Sequence, residues 1–158
     1  YTKLSLQPDG SDLKQIINLK QLKMGRVFFN TRKNIVDVAA AKVLKASDSG
    51  SVFNINQASA YEITLPLAST ISDGWNATFV IGTVAANAVT IANNTAEDLI
   101  VGGIAGADGG AATHAETAVD EIVFISGAVL GDTCHVLFNG TNFCVTGYAA
   151  DVAHITVS

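Results

Sequence analysis

Short runs of alternating apolar and polar residues, each stopped by turn residues, constrain this sequence more than anything else in it. Ser51-Val52-Phe53-Asn54-Ile55-Asn56 alternates with period two, the pattern of a strand with one buried face. Tyr61-Glu62-Ile63-Thr64-Leu65 repeats it and stops at Pro66, which has no N–H to give to a ladder. Beyond the Asp73-Gly74 turn, Ala77-Thr78-Phe79-Val80-Ile81 reads as a more buried strand, and residues 88–91 and 98–101 follow as shorter ones. Residues 121–125, 134–138, 143–148 and 152–157 close the series. Asn139-Gly140 is a strong hairpin signal. A two-residue turn there pairs Phe138 with Thr141 and Cys134 with Val145, and sets Cys144 opposite His135. The expectation is a mainly β chain: a β-sandwich or partly closed β-barrel of about eight or nine short strands.

Residues 102–118, Gly-Gly-Ile-Ala-Gly-Ala-Asp-Gly-Gly-Ala-Ala-Thr-His-Ala-Glu-Thr-Ala, carry too little side chain to fill a core. They read as a long surface loop. Their glycines superficially match a phosphate-binding loop, but no Lys-Ser/Thr ending or helical pattern follows.

Charge divides the chain sharply. Residues 1–45 hold all nine Lys and Arg and three acids, a net +6; residues 46–158 hold eleven acids and no Lys or Arg, −11; together they give −5. The domain reading is a basic N-terminal arm over residues 1–45 and an acidic β-rich domain over residues 46–158. In the arm, Asp12 and Gln15 have capping-box spacing and Gly25 suits a helix end. Leu19 and Leu22 blur the apolar stripe, so a short helix and an extended arm both stay open. The Ala-rich residues 36–45 suit a helical turn or a strand. Only 15% of the residues are charged and 49% are apolar, against roughly 25% charged in ordinary domains. That balance suits a chain that hides surface against partners.

The arm is the best functional candidate. Val27-Phe28-Phe29 is an apolar anchor with Arg26 on one side and Arg32 and Lys33 on the other. An aromatic centre with a cationic rim suits protein docking, and Lys14, Lys20, Lys23, Arg26, Phe28, Phe29, Arg32 and Lys33 form the expected partner-binding set. Direct nucleic-acid binding is not expected, because the cations are dispersed and the acidic domain repels phosphate. No run of apolar residues reaches the length of a membrane span, and the opening Tyr1-Thr-Lys-Leu-Ser-Leu lacks the apolar core of a signal peptide.

Catalytic and metal chemistry find little support. His114, His135 and His154 are dispersed, without HxH, HExxH or CxxC spacing, so no metal or other cofactor is expected. His114 reads as a solvated loop residue, His135 and His154 as sheet-surface residues. Cys134 and Cys144 fall on opposite faces in the expected register and read as buried free thiols. The pairs Glu97-Asp98 and Asp120-Glu121 are strand neighbours that point to opposite faces. A carboxylate pair set across a cleft by the fold stays open, but the expected class is a non-enzymatic structural protein.

The β region also resembles a known family. Val43-Leu44-Lys45-Ala46-Ser47-Asp48-Ser49-Gly50-Ser51-Val52-Phe53, the strand end Ile63-Thr64-Leu65-Pro66, and the segment from Gly131-Asp132 through Asn139-Gly140-Thr141-Asn142-Phe143 are similar to capsid decoration (head cement) proteins of tailed bacteriophages. Modules at fibre and spike tips look alike in the same segments. The resemblance covers residues 40–158; the family commonly has Trp where this chain has Phe143. It implies a virion protein on the outer capsid surface, a homotrimer bound to the major capsid protein that bridges neighbouring capsid subunits. The alternative it implies is a receptor-binding or adhesion module of a tail fibre or spike, with the Gly-rich loop and an exposed Trp75 or Tyr148 touching glycan.

Overall fold

In the computed structural model, which describes residues 33–84, 86–94 and 98–158, the alternating runs become strands with one buried face. They are β1 (Ile35–Val38), β2 (Lys42–Val43), β3 (Ser51–Asn56), β4 (Tyr61–Thr64), β5 (Asn76–Thr83), β6 (Val89–Ala92), β7 (Ile100–Gly106), β8 (Thr113–Val119), β9 (Glu121–Phe124), β10 (Thr133–Phe138), β11 (Phe143–Ala149) and β12 (Ile155–Val157). A seven-stranded sheet runs β1-β3-β5-β10-β11-β7-β8 and a five-stranded sheet runs β12-β9-β6-β4-β2. Inward residues of both sheets form one hydrophobic cluster. The chain is therefore a β-sandwich.

Its first half is a coil. The chain alternates between the sheets, so β1, β3 and β5 lie parallel in one and β2, β4 and β6 lie parallel in the other. Its second half is mostly antiparallel: β5 pairs β10, β10 pairs β11, and β9 pairs both β6 and β12. In β3, Ser51, Phe53 and Ile55 point inward while Val52, Asn54 and Asn56 point outward. Phe53 stacks on Phe79 with centroids 5.3 Å apart, and Phe143 meets both Phe138 and the edge of Trp75. Each buried ring contributes about 2–3 kcal/mol. Two hydrogen bonds tie the layers where the chain crosses between them: Tyr61 Oη donates to Val38 O at 2.7 Å, and Trp75 Nε1 donates to Lys45 O at 3.2 Å.

Four expectations need correction. The described residues hold twelve strands, more than the eight or nine expected, and part of the surplus comes from residues 36–45. That stretch, assigned to the arm, supplies the end of β1 and all of β2, and the compact β unit begins at Lys33. Secondly, most of residues 102–118 is not loop but the end of β7 and most of β8, an antiparallel pair. Glycine is needed there for close approach. A Cβ on Gly102 would strike the Val145 carbonyl of parallel β11, and one on Gly103 the Thr113 carbonyl of β8. Thirdly, the Asn139-Gly140 connection is a four-residue loop, so Phe138 pairs with Phe143, Cys134 with Gly147 and Cys144 with Leu137. The Asn139 carboxamide oxygen accepts from the amides of Thr141 and Asn142, which holds the wider turn. Gly140 takes φ +96° within it. Lastly, residues 152–154 form a 3-10 turn rather than the start of the final strand.

Candidate functional site

Of the expected partner-binding set, Lys14, Lys20, Lys23, Arg26, Phe28, Phe29 and Arg32 lie outside the described residues. Lys33 lies within them and is exposed, just ahead of β1. The structure adds a surface that the sequence reading did not assemble, the outer face of the seven-stranded sheet. Register aligns Ile35, Val52, Thr78, His135, Thr146, Gly103 and His114 in one row across it. Asp37, Asn54, Val80, Thr133, Tyr148 and Ala105 form the next row. Ile35, Leu137 and Tyr148 are 68%, 39% and 54% exposed on this face. Its strand positions carry no Lys or Arg, and Asp37 is engaged by the Asn54 carboxamide at 2.6 Å.

His135 lies near the middle of that face. Its Nδ1 is 3.1 Å from Thr78 Oγ1. Partial burial chiefly, and the Lys33 charge secondly, hold its pKa below the ordinary imidazole value; a backbone hydrogen bond with Ala77 opposes them. The fold thus favours the neutral ring over the charged one.

At the far end of the sheet, β7, β8 and β11 line a shallow, open groove of about 570 Å³. Val101 and Ala105 give it apolar side chains beside the bare backbone of Gly102 and Gly103, Cys144 and Thr146 line it from β11, and His114 and Glu116 from β8, while Ala115 and Val145 between them turn into the core. The groove exists because this corner is built from Gly and Ala, the composition that had suggested a loop. Cys144 is half-buried and Cys134 fully buried, and both are free. Burial pushes the Cys134 thiol pKa strongly upward, so it is not a nucleophile.

Two further readings change. His154 is not a strand-surface residue: it ends the 3-10 turn, and its Nδ1 lies 2.7 Å from the carboxylate of Asp132. Asp132 is 2% exposed and also accepts from the amides of Val129 and Ala150, at 2.8 Å each. It thereby ties the β9–β10 connection to the β11–β12 connection, which is structural work. Trp75 is 4% exposed and belongs to the core, so it offers no ring to a glycan; Tyr148 does remain exposed. Among the described residues, no three His, Cys, Asp or Glu side chains cluster as metal ligands, and no helix is long and apolar enough to cross a membrane.

No protein-family model matches this chain. No curated protein matches it either.

Proposed function

We propose that this protein is a structural component of a bacteriophage virion, one that decorates the outer capsid surface and stabilises the shell by bridging neighbouring capsid subunits. The observation that carries the reading is the wide outer face of the seven-stranded sheet with its low charge. Six strand spacings and strands of ordinary length give a planar area of roughly 600 Å², close to the roughly 800 Å² that each partner gives to a stable interface. Short polar and aliphatic side chains, with no cation at the strand positions, suit contact with protein over such an area. The resemblance of residues 40–158 to head cement proteins points the same way.

The mechanism is mechanical. The β body covers the shell, and the arm ties it to the major capsid protein or to the next copy through Phe28, Phe29 and the surrounding cations. Binding that favours the assembled shell stabilises it by mass action. A homotrimer is the assembly this role implies. Imaging of intact particles carrying the protein tests the reading. Density spread over the capsid, with copy number scaling with the shell subunits, is expected; density confined to the tail in a few copies would replace this reading with the fibre or spike module, which the exposed Tyr148 beside the groove favours.

A further inference from the structure

We propose that the β-sandwich associates edge to edge with a second copy of itself, the β1–β2 edge of one sandwich meeting the β8–β12 edge of the next. The inference rests on the homotrimer reading and names its interface.

The strand order defines the two edges. β1 and β2 end the two sheets on one side of the sandwich, and β8 and β12, which pack together, end them on the other. Charge separates the sides. Lys33, Lys42 and Lys45 all lie along the β1–β2 edge, and among the described residues none of them forms an ion pair. Two acids near them are engaged elsewhere: Asp37 accepts from the Asn54 carboxamide and Asp48 from the Lys45 amide. The opposite edge carries Glu116 on β8, Asp120 in the crossing to β9, and Glu121 on β9, one strand in from β12. No Lys or Arg follows Lys45 to neutralise them.

Register sets the opposite charges at matching heights in both sheets. In the seven-stranded sheet Ile35 and Gly103 share a row. Lys33, two residues ahead of Ile35, is therefore level with Val101, two residues ahead of Gly103. Residues 116–118 of β8 face Val101, between the pairs Gly102–Ala115 and Ile100–Val119. In the five-stranded sheet Val43, Thr64, Ala92 and Glu121 share a row, so Glu121 stands between the levels of Lys42 and Lys45. A copy rotated about an axis parallel to the strands keeps these levels. Lys33 then meets Glu116, while Lys42 and Lys45 meet Asp120 and Glu121. An isologous dimer would join like edges, cations to cations or acids to acids. Charge thus selects the heterologous contact, which closes into a ring where the rotation permits. The β1–β2 edge also holds Ile35 and Val43, 68% and 57% exposed, an apolar centre for the cationic rim. Strands of this length in two sheets about 10 Å apart, with their outer side chains, give an edge of roughly 500 Å². That is at the low end for a specific contact, so its charges decide whether it forms.

Sedimentation equilibrium of the full chain at high protein concentration tests this, at low salt and at roughly 0.5 M salt. Wild type should associate at low salt and at least tenfold more weakly at high salt. Lys33→Glu, Lys42→Glu and Lys45→Glu together should weaken low-salt association at least tenfold, and so should Glu116→Lys, Asp120→Lys and Glu121→Lys together. A chain carrying all six substitutions should regain self-association yet not co-assemble with labelled wild type, because its edges are reversed. That regain also shows that the substituted chains fold. Association that ignores salt, that survives either set of three, or that mixes the six-substituted chain with wild type rejects the edge contact and leaves the homotrimer reading standing. A wild-type chain that stays monomeric at low salt rejects both. The shell reading is decided separately, by imaging of particles.

Discussion

Asp132 and His135 carry the most locally testable consequences of the fold. Asp132 is buried and accepts from two backbone amides and the His154 ring, so Asp132→Ala leaves donors without partners at a junction of two connections. A loss of about 3 kcal/mol is expected, read as a lower urea midpoint with an unchanged slope; a loss below about 1 kcal/mol would mean that the junction is not a tie. His135 gives a pH signature. Its pKa is lowered in the fold, so the unfolded chain binds the extra proton. Its contribution is therefore complete above the unfolded value of about 6.5 and is lost as pH falls below that toward the folded value. His135→Gln should flatten the stability profile between about pH 7 and pH 5 relative to wild type, and an identical profile would show that the ring does not titrate differently in the two states. Neither role was legible in the sequence. Asp132 sits beside a turn glycine and His154 lies in a run that reads as strand. Only the fold brings two residues so far apart in sequence within 2.7 Å.

At the scale of elements, the sequence was informative wherever one face of a strand is buried and misleading wherever close backbone packing replaces side chains. Residues 51–56 alternate cleanly and form β3 over the same six residues. The Gly-Ala stretch was misread because glycine has two uses: it loosens loops, and it admits a neighbouring backbone. The difference lies in what stands opposite Gly102 and Gly103, namely the carbonyls of Val145 and Thr113. Gly102, with φ +116°, gives the element-scale prediction. Gly102→Ala should destabilise by about 2–3 kcal/mol through steric conflict and backbone strain, measured as a fall in thermal midpoint. A neutral result would return this region to the status of a loop. The parallel coil was hidden for another reason. The connections between its successive turns are unequal in length, so no sequence repeat marks it.

For the whole molecule, the charge division and the fold describe one arrangement. The cations of the described residues, Lys33, Lys42 and Lys45, all flank or lie in β1 and β2. The rest of the sandwich presents acids, short polar groups and a broad face of low charge. A cationic, aromatic segment joined to such a body is suited to attach, and the body to cover. The proposed attachment through the arm is tested by a binding isotherm on expanded phage heads. Full-length wild type is compared at low and moderate salt with a full-length chain carrying Arg26→Gln, Phe28→Ala, Phe29→Ala, Arg32→Gln and Lys33→Gln. Saturable wild-type binding that weakens with salt is expected, with at least a tenfold loss of affinity and a flatter salt dependence in the substituted chain. Equal affinity and equal salt dependence for the two chains would rule out attachment through the arm.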